Sequence, residues 1–156
     1  MDAFVQPLYE LADFDAIIRQ LKKPGIVQVS GCLDSQKAHF TNGLLREFPF
    51  RLIVAENDLK AKAFYEDFRL YDPEVLYYPA RDLIFYQADI HGNLLTRQRI
   101  QVLRALLERE EVTIVTSIDS CLDCLVPLAV WKEKVIKIRN DSEIDLDRMK
   151  RHLLEL

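Results

Sequence analysis

Val112-Thr113-Ile114-Val115-Thr116 is the stretch on which the fold turns. All five residues favour extended backbone and none carries a charge, so the segment has no face suited to water. A run of this kind is expected inside a parallel sheet whose two faces are both covered by helices. Upstream, Val75-Leu76-Tyr77-Tyr78 and Arg51-Leu52-Ile53-Val54-Ala55 are short runs of the same character. Ile26-Val27-Gln28-Val29-Ser30, just after the Pro24-Gly25 turn, predicts a further strand that is first in chain order. Between these runs lie segments of helical period. Leu59, Ala63, Phe64, Phe68 and Tyr71 share one helical face, and helices are predicted over 14–22, 34–48, 59–71 and 94–108. The stretch 79–93 has no period and reads as a long loop. Strands alternating with helices at this spacing predict an α/β fold, a parallel sheet flanked by helices with right-handed crossovers.

The style changes after Pro127. Lys132-Glu133-Lys134-Val135-Ile136-Lys137-Ile138-Arg139 alternates charged and apolar residues, which predicts a half-exposed antiparallel strand. An amphipathic helix over 145–156, capped by Asp145, follows. The expected organisation is an α/β domain over 1–131 and the opening strand and helix of a truncated second domain over 132–156.

Composition bounds the function. With 156 residues, 49% of them hydrophobic, the chain can bury one ordinary core. A net charge of −4 lacks the basic footprint of a dedicated nucleic-acid binder. No run approaches the eighteen apolar residues of a membrane span, and the acidic N-terminus does not fit a secretory leader. Three cysteines, Cys32, Cys121 and Cys124, are an odd number, which suggests reduced thiols and a cytoplasmic setting.

The break after the first predicted strand lies where a phosphate-binding loop would sit. The working motif G-x-x-x-x-G-K-[ST] uses its glycines to bring backbone N–H groups onto the phosphates and its hydroxyl to hold Mg²⁺. Here Gly31 and Lys37 are retained, but Gln36 replaces the second glycine and Ala38 has no hydroxyl. Asp34 adds a carboxylate that can cap the following helix, in the place a phosphate would take. No apolar strand ends in an Asp-Glu pair able to hold Mg²⁺. The loop therefore reads as a degenerate P-loop with no catalytic, cofactor or metal residue, although a plain strand-helix turn has the same spacing.

The remaining constellations favour structural readings. Cys121-Leu122-Asp123-Cys124 lacks the second ligand pair of a zinc site. Arg97, Gln101, Arg104 and Glu108 share a helical face, read as solvated sooner than phosphate-binding. Arg99 points elsewhere, towards a buried acid. His39, His91 and His152 have no Ser or Cys nucleophile beside them. Tyr77, Tyr78, Phe85, Tyr86 and Trp131 have the chemistry of a stacking platform for single strands, but packing within strands and loops is the simpler reading.

Several segments resemble the excinuclease B family. They are Ile53-Val54-Ala55-Glu56-Asn57-Asp58-Leu59-Lys60-Ala61, followed by Phe64-Tyr65-Glu66-Asp67-Phe68, and Leu107-Glu108-Arg109-Glu110-Glu111 running on through Val112 to Ser117, preceded by Arg99. The stretch 134–154, with Glu143-Ile144-Asp145, continues the match. Two departures separate the chain from excinuclease B itself: the phosphate loop is degenerate, and Tyr77 to Tyr86 is too short for that family's aromatic DNA-gripping hairpin. This combination resembles the N-terminal, excinuclease-B-like module of the bacterial transcription-repair coupling factor family. The resemblance implies a helicase-like fold and a non-catalytic scaffold or interaction role. It also implies a parent that translocates on double-stranded DNA, with ATP and Mg²⁺ in a downstream motor, and that binds stalled RNA polymerase through downstream domains. The excinuclease A protein would dock through the truncated second domain, and further contacts would be intramolecular. The competing expectation is a divergent or active P-loop NTPase fragment. A stand-alone DNA-binding domain is disfavoured by the acidic composition.

Overall fold

A computed structural model describes residues 3–81, 89–136, 138 and 145–155. The chain forms two compact units, Met1–Asp123 and Cys124–Leu156. The first begins with a 3₁₀ turn at Gln6–Glu10 and continues with α1 (Phe14–Leu21), α2 (Asp34–Leu45), β1 (Phe50–Ala55) and α3 (Asp58–Phe68). It is completed by β2 (Leu76–Tyr78), α4 (Asp89–Glu108), β3 (Val112–Ser117) and the single turn α5 (Ile118–Cys121). The second unit holds α6 (Leu128–Lys134) and α7 (Leu146–Glu155).

The three strands form a parallel sheet in the order β1-β3-β2, with Phe50 opposite Val112 and Leu76 opposite Ile114. This is the α/β architecture expected, and Val112–Ser117 is its central strand, buried at all six positions. Period-two alternation divides the sheet between two cores. On one face Tyr77 and Val115 pack with Ala61 and Phe68 of α3 and Ala38 of α2, flanked by Ile53 and Ala55. On the other, Leu76, Tyr78, Val112 and Ile114 pack against Val102 and Ala105 of α4. The β1–α3–β2 and β2–α4–β3 connections cross the sheet in opposite directions over opposite faces, as crossovers of one hand must. A third cluster, Val5, Leu8, Phe14, Ile18 and Leu44, seats the lead-in on α2.

Four expectations are corrected. Segment 26–30 is not a strand: it has no regular secondary structure and pairs with no described residue, and Ile26 is 98% exposed. Strand propensity is realised only where a neighbouring strand completes the ladder, and among the described residues β1 is bonded only on its β3 side. The stretch 79–93 is not wholly loop, because α4 already begins at Asp89; residues 82–88 lie outside the described residues. Lys132 and Lys134 do not open a strand but close α6, where cations suit the C-terminal end of the helix dipole. Val135, Ile136 and Ile138 are exposed and in no strand, while residues 137 and 139 lie outside the described residues. Asp34 does not cap α2; it is the first helical residue, after Leu33. Asp145 does cap as expected, its Oδ1 accepting from the N–H of Asp147 at 3.0 Å.

These placements give unequal sensitivities to mutation. Phe68, fully buried between α3 and the sheet, should cost about 3–5 kcal/mol on Phe68→Ala. A Cβ on Gly43 would lie 2.4 Å from Leu8 Cδ1 and 3.0 Å from Phe14 Cζ, so Gly43→Val should cost about 1–3 kcal/mol. Ile26→Ser should change stability by no more than about 0.5 kcal/mol. Urea unfolding of the three variants checks the ranking, and a large loss at Ile26 would restore segment 26–30 to the sheet.

Candidate functional site

Parallel α/β sheets present their ligand-binding loops at the carboxyl ends of the strands. In this sheet those ends are Ala55, Tyr78 and Ser117. The residues that follow are tied together by hydrogen bonds centred on Asp58. Asn57 caps α3 through its Oδ1, which accepts from the Lys60 N–H at 2.9 Å. That cap fixes the first turn of α3 and aims Asp58 back across the strand ends. Asp58 Oδ1 accepts from the N–H of Ala80 at 3.1 Å and from Ser117 Oγ at 3.2 Å. Its backbone carbonyl accepts the Tyr77 hydroxyl at 3.4 Å. Ser117 Oγ in turn lies 2.9 Å from Ser120 Oγ, and Thr116 Oγ1 donates to the Tyr78 carbonyl at 2.9 Å.

Arg99 of α4 completes this end of the sheet. Its guanidinium is buried over the Tyr78 ring at 4.3 Å and donates through Nη1 to the Pro79 carbonyl at 2.8 Å. Asp123 Oδ2 is 2.8 Å from the same Nη1, though without hydrogen-bond alignment, so that contact is an ion pair. Arg99 thus pairs with an acid as anticipated, but Asp123 is partly exposed, at 29%, where a buried one was expected. Arg81, more exposed, stands 3.8 Å from the same carboxylate oxygen. Burial pushes both tyrosine hydroxyls up from their ordinary value. Tyr77 is also raised by its bond to Asp58, while Arg99 partly offsets the rise at Tyr78.

The loop at 31–38, expected from sequence to be a degenerate phosphate loop, lies apart from this cluster. Gly31 has φ +89°, the left-handed region that a glycine adopts without strain, and no atom lies within 4 Å of where its Cβ would be. The glycine therefore serves the backbone turn and not a close approach. Gln36 Oε1 reaches back to the Leu33 N–H at 3.4 Å. Lys37 Nζ is bound to Asp34 Oδ1 at 2.6 Å, a hydrogen bond that holds the exposed Asp34 carboxyl below its ordinary range. Ala38 faces the core, 3% exposed among Ala61, Phe68 and Val75. None of Gly31, Asp34, Gln36, Lys37 or Ala38 takes part in the Asp58 cluster.

The remaining sequence candidates are dispersed. Arg97 and Gln101 are exposed, and Arg104 pairs with Glu108 at 2.7 Å. Tyr77 and Tyr78 are buried, which removes their rings from any stacking platform; Phe85 and Tyr86 lie outside the described residues. His39 Nε2 lies 2.5 Å from the Phe4 carbonyl, and its ring stacks on Tyr71. Cys121 and Cys124 are exposed free thiols, and among the described residues no group of three His, Cys, Asp or Glu side chains converges as a metal site would. Sequence reasoning missed Asp58 and Ser117 as hubs, although Asn-Asp before a helix is a recognisable capping signal.

At the opposite end of the sheet a shallow cleft is lined by Arg51, Asp72, Glu74, Arg109, Glu111 and neighbouring side chains. Arg51 lies between Asp72 at 3.9 Å and Glu111 at 3.7 Å, Arg109 pairs with Glu74 at 3.1 Å, and Thr113 Oγ1 donates to Asp72 at 2.7 Å. With Glu110 also in the lining, two guanidinium groups face four carboxylates, so the cleft is acidic on balance.

No protein-family model matches the chain. Its sequence is 24% identical over 133 residues to the transcription-repair-coupling factor of Staphylococcus epidermidis, an alignment covering 83% of this chain. It is 27% identical over 165 aligned positions to UvrABC system protein B of Treponema pallidum, covering 94% of this chain. The chain is similar to both proteins. The resemblance carried by segments 53–68 and 107–117 thus extends over most of its length, at low identity. The chain spans 11% of the length of the coupling factor and 24% of that of protein B. Asp58 and Ser117 lie in the segments that carry the resemblance, whereas their partners Tyr77, Ala80 and Ser120 lie outside them. Among the described residues, no helix is long and apolar enough to cross a membrane.

The cluster predicts two measurable effects. Asp58→Ala strands the Ala80 N–H and the Ser117 hydroxyl and should cost about 1.5–3 kcal/mol in urea unfolding, with Asp58→Asn losing less. Alkali supplies the second. With folded-state hydroxyls raised, the native chain keeps protons that the unfolded chain releases, so stability is full below about pH 10 and declines as pH rises further. Tyr77→Phe should flatten that decline when unfolding is followed from about pH 9 to about pH 11.

Proposed function

We propose that this chain is a non-catalytic interaction module of a DNA-repair protein of the coupling-factor kind. The observation that carries the reading is the state of the loop at 31–38. The lysine that would neutralise phosphate is held by Asp34, and the position that would hold Mg²⁺ is the buried Ala38. A phosphate entering this loop would have to displace the Asp34 carboxylate from Lys37 and approach past the Gln36 side chain. Similarity to both a coupling factor and UvrABC system protein B supports nucleotide excision repair as the setting. In this reading ATP and Mg²⁺ belong to a motor elsewhere in a longer protein. RNA polymerase and double-stranded DNA are met by domains beyond this one, and the excinuclease A protein docks through the region that begins in the second unit. The α/β unit serves as a frame for those contacts in the cytoplasm.

The competing reading, a divergent NTPase, draws on the positive φ of Gly31 and the retained Lys37. Calorimetric titration with ATP-Mg²⁺ separates the two. The interaction-module reading expects no saturable heat, and tight binding abolished by Lys37→Ala would overturn it. The combined Asp34→Gly, Gln36→Gly and Ala38→Thr variant is expected to remain unable to bind ATP-Mg²⁺, because Ala38 points into the core and segment 26–30 is unpaired among the described residues. The excinuclease A protein is expected to be retained by a form of the protein extended past Leu156; retention by neither the extended form nor the present chain would remove the docking role.

A further inference from the structure

We draw no further inference here: the strongest candidate, the edge of β1 left unpaired among the described residues with its exposed apolar face of Phe50, Leu52 and Val54, carries nothing because nothing in the structure shows what covers it.

Discussion

Strand β3 has a bonded neighbour on each edge and a packed helix against each face, and most of the first unit is arranged to meet those four demands. Six consecutive buried positions leave no side for water, so any polar atom on them needs an internal partner. Each one has it. Thr113 donates to Asp72, Thr116 to the Tyr78 carbonyl and Ser117 to Asp58. The partners come from the loop after α3, from β2 and from the first turn of α3, so one strand's hydroxyls tie three separate chain segments into register. A sheet without these hydroxyls would have the same apolar core but looser control of where the crossovers begin.

The two ends of the sheet differ in how they are held. At the carboxyl ends of the strands the ties are part-buried hydrogen bonds of 3.1–3.4 Å from neutral groups to Asp58, beside the buried Arg99 guanidinium paired with Asp123. At the amino ends they are ion pairs of Arg51 and Arg109 with Asp72, Glu74 and Glu111, several of them long and partly exposed. Exposed pairs contribute little and are screened by salt. The Ala55–Asp58 and Ser117–Ser120 connections leave from the end tied through Asp58. Loops anchored in this way are pre-ordered and lose little freedom on meeting another molecule.

The sheet was legible from its apolar runs, uncharged in their interiors, at 51–55, 75–78 and 112–116. Two-sided burial follows for 75–78 and 112–116, whereas Leu52 and Val54 leave one face of β1 exposed. Segment 26–30 has the same propensity and forms no strand, because propensity specifies only what a residue tolerates while a ladder needs a second strand. At the loop 31–38 the sequence shows only that Gln36 and Ala38 stand where a phosphate loop would carry a glycine and a hydroxyl. The loop's geometry was not legible: nothing in the spacing shows that residue 38 faces the core. Arg99 was recognisable as a residue off the solvent-facing stripe of its helix, and its acid was found 24 residues downstream at Asp123. The Asp58 cluster joins residues 22 and 59 positions apart, a separation that local pattern reading does not reach.

The inward placement of Ala38 divides the loop into two kinds of position. Asp34, Gln36 and Lys37 are exposed and can be exchanged with little effect on the core. Position 38 is packed among Ala61, Phe68 and Val75, so a larger or polar side chain there must crowd a close-packed interior or bury a polar atom. Any change at residue 38 is therefore felt by α3 and the sheet, whatever the rest of the loop carries.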